Sequence, residues 1–223
     1  MTDLWPPALH PRDIGIHYRA RNLSGGAATN GYEQVVMSPA GLWVVEYGRV
    51  RIASAAIAQL WNGLATRWEG RLNPILVPFC LGPRPYAGGA AAAPIMLPHD
   101  DDTFFDDDTG YTQFAIDATV ATAAALRATT ISIDVTNGGA LAIGQYFGIG
   151  DRAYQIRSID SVAATVTTVG IRPPLRAAAP AGTAINFDRP VCKMRLETDD
   201  AMAVTLELFR HASPTVRFVE ELR

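Results

Sequence analysis

The densest cluster of side chains able to do chemistry is acidic. Carboxylates at Asp100, Asp102, Asp106 and Asp108, next to His99, could bind a hard cation such as Ca²⁺, which prefers oxygen ligands. The spacing lacks the glycine at the sixth position and the glutamate at the twelfth that define the common calcium-binding loop. We therefore interpret this stretch as a solvated acidic segment and predict no metal site.

No arrangement typical of nucleophilic or acid–base catalysis stands out. Ser24 and Ser38 lie in turn sequences without a strand–turn–helix elbow. The glutamates Glu33, Glu46 and Glu69 are isolated and would form a catalytic pair only if folding brought them together. The histidines are scattered along the chain, at His10, His17, His99 and His211. We predict that the protein is not an enzyme, with no catalytic residue and no cofactor.

The cysteines and the N-terminal residues help to predict the cellular compartment in which the protein is made. Cys80 and Cys192 lack a second thiol or a histidine at metal-ligand spacing, so both are predicted to be buried thiols. The first seven residues show neither the basic nor the apolar region of a secretory signal. No apolar run approaches the roughly 20 residues of a membrane span. We expect no membrane insertion, and synthesis and assembly in a cytoplasm.

The charge balance is low and uneven. Charged residues make up 18% of the 223 residues, and the formal net charge is −3. Without the aspartates of the acidic stretch the net charge would be +3; these are Asp100, Asp101, Asp102, Asp106, Asp107 and Asp108. The sequence has no basic patch of the kind that would indicate nucleic-acid binding as the main activity. The sparse charge suggests that other subunits cover much of the surface.

The elements that would position these residues are mainly strands, with one helix. Ile14, Ile16 and Tyr18 alternate with polar residues, and 42–52 is aromatic and β-branched, as half-buried strands are. From Ser54 the period changes to that of a helix, which Gly70 would end. The apolar face of that helix is predicted to be core: Ile57, Leu60, Trp61, Leu64 and Trp68.

The second half predicts an inserted module. Residues 82–110 have the composition of a linker, and 111–189 contain short strands at the spacing of a small barrel. Ala203–Arg210 and Thr215–Glu220 are strand-like and are expected to return to the first sheet. The predicted domains are 1–88 with 190–223, an acidic linker or arm at 89–110, and an inserted small β-barrel at 111–189.

Three stretches of the second half carry a resemblance to a known family. Residues 144–156 read GQYFGIGDRAYQI, 171–176 read IRPPLR, and 187–196 read FDRPVCKMRL. They resemble a module of the distal tail proteins of long-tailed bacteriophages and phage-like gene transfer particles, with the pattern GDYFxIGDRxYxV…PPLR…FxRP. The opening strands, Trp61 to Trp68 and Arg71-Leu72-Asn73-Pro74 are similar to the tail-tube-like domain of the same family.

This resemblance implies a structural virion protein of the tail tip. Such proteins form a homohexameric ring between the tail tube and the baseplate hub or fibre proteins, and DNA passes through the lumen in transit. The implied fold is a tail-tube-like β-barrel or sandwich with one amphipathic helix and an inserted small β-barrel. Aspartates facing the lumen would repel DNA phosphates. The acidic arm has no counterpart in the family pattern.

Two other classes stay open. A carbohydrate-binding or host-surface-binding β module of the tail tip would use Tyr86, Phe104 and Phe105 as platforms. A hydrolase of cell-wall glycans would need two carboxylates about 5–10 Å apart in a cleft.

Overall fold

The computed structural model describes most of the chain and divides it into two compact units. The described residues are 2–27, 29–36, 38, 40–79, 84–85, 95–97, 103, 111–113, 116–208 and 211–222. Unit 1 comprises Met1–Pro78 and Cys192–Arg223, and unit 2 comprises Phe79–Val191. The chain therefore leaves unit 1 after Pro78 and returns to it at Cys192.

The architecture is mainly β with one described helix, as predicted. In unit 1 the elements are β1 Asp3–Leu4, β2 Asp13–Arg19, β3 Leu23–Ala27, β4 Glu33–Val36, β5 Leu42–Gly48, α1 Ala55–Trp68, β6 Ile75–Pro78, β15 Val191–Leu196 and β16 Val216–Glu220. In unit 2 they are β7 Ile95–Leu97, β8 Tyr111–Gln113, β9 Asp117–Val120, β10 Thr130–Asn137, β11 Tyr146–Ile149, β12 Arg152–Ala163, β13 Val166–Arg172 and β14 Ala184–Ile185.

Unit 1 is built on a six-stranded sheet. Its strand order is β1-β6-β15-β16-β5-β2, so the strands that follow the inserted unit lie in the middle. Pro78 ends β6, which suits a residue that cannot donate to a ladder. The returning segment therefore completes a sheet that the first 78 residues could not close alone.

Helix α1 forms where the sequence predicts it. The Ser54 side chain accepts a hydrogen bond from the Ile57 amide at 3.3 Å and caps the first turn. Glu69 and Gly70 both adopt positive φ, 49° and 63°, and end the helix. Ala58, Trp61, Leu64 and Trp68 are buried along one face.

The helix face meets an aromatic cluster centred on Trp5. The Trp5 ring lies 5.7 Å from that of Trp68 and 6.4 Å from that of Trp61, between ring centroids. On its other side it contacts Tyr47 of β5 and Phe218 of β16, each at 5.3 Å. Such ring pairs contribute beyond the area they bury. Trp5 thus links the N-terminal strand, the helix and the centre of the sheet.

Unit 2 contains a six-stranded sheet that nearly closes into a small barrel. The order is β11-β12-β13-β10-β9-β14. Asn186, directly after β14, exchanges two backbone hydrogen bonds with Gly148 of β11, at 2.8 and 2.9 Å. These bonds join the first and last strands of the sheet. The interior is an apolar core that includes Ile133, Phe147 and Val169.

The stretches that carry the family resemblance lie mainly in this barrel, and the third continues into β15 of unit 1. Gly150, at φ +60°, opens the two-residue turn between β11 and β12. The Phe147 ring lies 5.6 Å from the rings of Tyr154 and Phe187, and all three are buried. Leu175 is buried in the same core. These positions therefore specify how the barrel packs and turns.

Several expectations from the sequence differ from the structure. The strand predicted over 42–52 ends at Gly48, because Arg49 takes a positive φ of 49° that breaks the extended run. Ile57 and Leu60 are half-buried, since Ala58 occupies the centre of the buried helix face. Residues 203–208 form no strand, although Glu207 bridges to His211.

The predicted acidic linker, 89–110, contains strand β7 and ends where β8 begins. β7 and β8 form an antiparallel pair in which Leu97 faces Tyr111. Residues 98–110, which connect these strands, lie outside the described residues except for exposed Thr103. Residues 95–97, predicted as linker, are therefore strand.

We expect the Trp61→Ala variant to lose about 3–5 kcal/mol of unfolding free energy, because it removes a fully buried ring from the cluster around Trp5. Urea denaturation measures the loss. Gln59→Ala, at an exposed position of the same helix, is the control and should change stability by less than about 0.5 kcal/mol. An unchanged unfolding midpoint for Trp61→Ala would show that the cluster does not hold unit 1 together.

Candidate assembly surface

The sheet of unit 1 has one long open edge, at β2. Strand β2 pairs with β5 from Asp13↔Gly48 to Arg19↔Leu42. It is the last strand in the sheet order, and no other described strand pairs with it. Its outward backbone N–H and C=O groups are therefore available to a strand from another chain.

The middle of β2 lacks the features with which proteins block an edge. Charged residues occur only at its ends, Asp13 and Arg19, and its interior Ile14-Gly15-Ile16-His17-Tyr18 contains neither proline nor lysine. Ile14, Ile16 and Tyr18 are only half-buried on the strand's inner face. An additional strand or side chain beside β2 would cover them.

A hairpin continues directly from this edge. We call β3, β4 and the residues between them the arm. Leu23 faces Val36 and Ser24 faces Val35, so the arm extends the β2–β5 ladder in nearly the same register. Every residue of the arm whose burial is described is exposed.

The arm presents an apolar surface that unit 1 does not cover. Tyr32 is 78% exposed, Leu23 71%, and Val35 and Val36 each 55%. An isolated two-stranded hairpin is at best marginally stable in water. Exposed apolar residues grouped on such a hairpin are typical of a surface that binds another protein.

Local polar contacts shape the arm. The Ser24 hydroxyl contacts Glu33 across the ladder and also accepts a hydrogen bond from the Gly26 amide at 3.1 Å. The Asn30 side chain accepts one from the Tyr32 amide at 3.3 Å. Gly26 and Gly31 adopt φ near +80°, which their lack of a side chain permits. These contacts define the turn, and they leave the apolar residues outside.

Ion pairs cross the outer face of the same sheet. Arg217 of β16 pairs with Glu46 of β5, and this carboxylate raises the pKa of the Arg217 guanidinium. Glu197 accepts a hydrogen bond from Arg19 at 2.8 Å and lies 4.0 Å from Arg217. Exposed pairs of this kind contribute little to stability. They make the face polar, in contrast to the apolar arm.

An ion pair also fixes the start of β2. Arg49 donates from both Nε and a terminal nitrogen to the Asp13 carboxylate. These hydrogen bonds hold the pKa of Asp13 below its ordinary value. Arg71 likewise lowers the pKa of Asp199, through hydrogen bonds from its side chain and its backbone amide. Both pairs are at the surface.

The candidate metal ligands Asp100, Asp102, Asp106 and Asp108 lie outside the described residues, and so do Tyr86, Phe104 and Phe105. Within the described ranges, no group of three or more His, Cys, Asp or Glu side chains is placed to hold a metal ion. Glu33 contacts Ser24 and Glu46 pairs with Arg217, so these two glutamates have separate partners. Cys192 is fully buried, and Cys80 lies outside the described residues.

Sequence reasoning missed the residues that matter most for this surface. Leu23, Val35 and Val36 occur in a short glycine-rich stretch without clear periodicity, and only their exposure in the fold identifies them. Trp5 was also missed as a core residue. A tryptophan directly before two prolines gives no periodic signal, although its size favours burial.

Comparison with known proteins adds no relative. No family model matches the chain, and no curated protein matches it. Among the helical segments that are described, none has both the length and the apolar character needed to cross a membrane.

We expect the Asp13 carboxyl to titrate below its ordinary pKa, and Arg49→Gln to raise that pKa, because the substitution removes the hydrogen bonds that stabilise the ionised form. A carbon-detected NMR titration measures both values. The folded pKa is lowered, so this stabilisation is present above the unfolded pKa and is lost as pH falls through the folded pKa. Asp199 serves as the control, because Arg71 lowers its pKa and the Arg49→Gln substitution leaves that pair intact. Equal Asp13 values in both proteins would disprove the pairing.

Proposed function

We propose that the protein is a structural subunit of a tail tip, in a long-tailed phage or a phage-like gene transfer particle. In this proposal it forms a homohexameric ring at the distal end of the tail. The ring joins the tail tube protein to the baseplate hub or fibre proteins and leaves a lumen for DNA. Its role is assembly, without catalysis or a cofactor, and its location is the virion.

The observation that carries this proposal is the open edge of unit 1 together with the arm. Strand β2 has backbone groups on its outer side that pair with no other described strand, and the arm beside it exposes Leu23, Tyr32, Val35 and Val36. A neighbouring copy that pairs with β2 and covers the arm would provide hydrogen bonds for the backbone groups and remove the apolar residues from water. An interface between two different surfaces of the same chain repeats head to tail, and it closes into a ring when the rotation permits.

The resemblance in unit 2 supports the tail-tip assignment. The residues that match the family pattern lie mainly at a turn and in the core of the nearly closed small barrel, where they would determine a shared fold. Because the match concerns packing residues, it supports a shared module more directly than a shared partner. The proposal that the tail tube and hub proteins are partners therefore rests on the role of the family that the chain resembles.

The charge of the chain is consistent with a lumen that DNA passes through without being held. The formal net charge is −3, and DNA-binding proteins rely on cationic surfaces to neutralise phosphates.

A binding role for the alternative host-surface module would depend on Tyr86, Phe104 and Phe105, which are not among the described residues.

We expect native mass spectrometry of the purified protein to detect a closed hexamer. The double variant Leu23→Asp, Val36→Asp should be mainly monomeric, because it places charge on a directly opposed apolar pair of the arm. Its melting temperature as a monomer should stay close to wild type, since both residues are exposed.

The matched control is Leu126→Asp, Ile143→Asp, which introduces the same charge at exposed apolar positions of unit 2. This control should remain hexameric. A wild-type chain that is monomeric at all accessible concentrations and does not bind tail tubes would refute the proposal. Equal loss of assembly in both double variants would show that the arm has no specific role.

A further inference from the structure

A groove of about 670 Å³ lies in unit 1, away from the arm residues. Its floor is the place where residues 50–52 run beside 212–214. Val50 donates to the Pro214 carbonyl at 2.8 Å, and Ile52 and Ala212 exchange two hydrogen bonds at 3.0 and 3.1 Å. Residues 203–207 form the wall. The floor is therefore held firmly by backbone bonds.

Two arginines line this groove, Arg12 and Arg51, and we call it the Arg12–Arg51 groove. Val50 and Ile52 are buried on either side of Arg51, so the alternation of an extended chain directs the Arg51 side chain outward. Neither guanidinium forms an ion pair or a hydrogen bond with a described residue. Other arginines of unit 1 do pair with carboxylates: Arg19, Arg49, Arg67, Arg71, Arg195 and Arg217.

In the wall of the groove, three consecutive residues form no backbone hydrogen bond with a described residue. Ala203 donates to the Asp200 carbonyl, and Glu207 and His211 exchange hydrogen bonds. Between them, no backbone hydrogen bond to a described residue involves Val204, Thr205 or Leu206. The residues alternate between exposed and half-buried, as in a strand without a neighbour. Their N–H groups, without a partner among the described residues, and the two arginines make the groove rich in donors, with Glu207 as the one carboxylate among its described lining residues.

We propose that the Arg12–Arg51 groove binds the acidic segment, residues 99–109, of a neighbouring copy of this chain. The inference rests on the ring proposed above. The segment carries six carboxylates, and the rest of the chain carries a formal charge of +3. Carboxylates accept bidentate hydrogen bonds from arginine. Phe104 and Phe105, between the two aspartate triplets, suit the apolar lining that includes Val204 and Pro214.

The connection to the barrel unit allows the segment to reach another subunit. Its flanking residues are held where Leu97 pairs with Tyr111. Half of the connecting residues 98–110, if extended, would span about 20 Å. The groove belongs to unit 1 and the segment to the sequence of unit 2, so a contact between two copies would join two different surfaces. Such a contact repeats around a ring, and it directs the carboxylates toward a neighbouring subunit instead of the lumen.

The test measures binding of a fluorescent synthetic peptide of residues 99–109 by anisotropy. The full-length protein carries asparagine at the six aspartates of its own segment, so that it does not compete. We expect saturable binding that weakens with added salt and at least about a tenfold higher Kd in Arg12→Glu, Arg51→Glu.

The control, Arg21→Glu, Arg157→Glu, makes the same charge change at exposed positions outside the groove and should leave the Kd within about twofold. If the reversed-charge variant does not fold, Arg12→Gln, Arg51→Gln should give a smaller increase in the Kd. Equal Kd values in groove and control variants would overturn the inference.

A mixing experiment tests whether the contact joins two copies. Both chains carry Leu23→Asp, Val36→Asp, so that the arm does not join them. One chain also has the six aspartates changed to asparagine and an intact groove; the other also has Arg12→Glu, Arg51→Glu and an intact segment. We expect mixed pairs in native mass spectra, at a level that neither chain reaches alone. Failure to pair would overturn the inference even if wild type forms rings. Pairing without any wild-type ring would overturn the proposed function and leave the groove contact supported.

Discussion

The two units treat the edges of their sheets in opposite ways, and this difference determines what each unit can do. In unit 2, Gly148 and Asn186 exchange the hydrogen bonds that join the first strand to the last, so little of the ladder is left open. In unit 1, β2 ends the sheet, and no other described strand pairs with the outer side of its backbone. Unpaired strand edges promote association. Assembly is therefore expected to begin at unit 1, with unit 2 as a self-contained module.

A rigid core is needed behind such an open edge. Trp5 packs against Tyr47 of β5, the strand that pairs with β2, and against Trp61 and Trp68 of the helix. The indole N–H groups of Trp5 and Trp61 donate to the carbonyls of Leu9 and Met202, so the cluster leaves neither donor unpaired. The edge strand is thus presented on a sheet whose centre is fixed, which reduces the conformational entropy that β2 itself loses when another strand pairs with it.

The sequence predicted the periodic elements and missed features that depend on tertiary context. Ser54, Trp61, Leu64 and Trp68 identify helix α1 because capping and a 3.6-residue period are local signals. The run 203–208 has the alternation of a strand, yet pairing requires a neighbour, and unit 1 supplies none along most of it. The exposure of Leu23 and Val36 could not be predicted either, because an apolar residue in a short glycine-rich hairpin reads equally as buried. Arg12 and Arg51 look like other surface arginines until the carboxylates that pair with six other arginines of unit 1 are located.

Hydrogen–deuterium exchange of β2 tests the central claim, that this edge pairs with another copy. The exchange of the Asp13–Arg19 amides is compared in the assembled protein and after dissociation by dilution, with β11 of the barrel as an internal reference. We expect outward-facing β2 amides to exchange slowly in the assembly and much faster in the monomer, while β11 is equally protected in both. Identical exchange of β2 in the two states would contradict pairing at this edge.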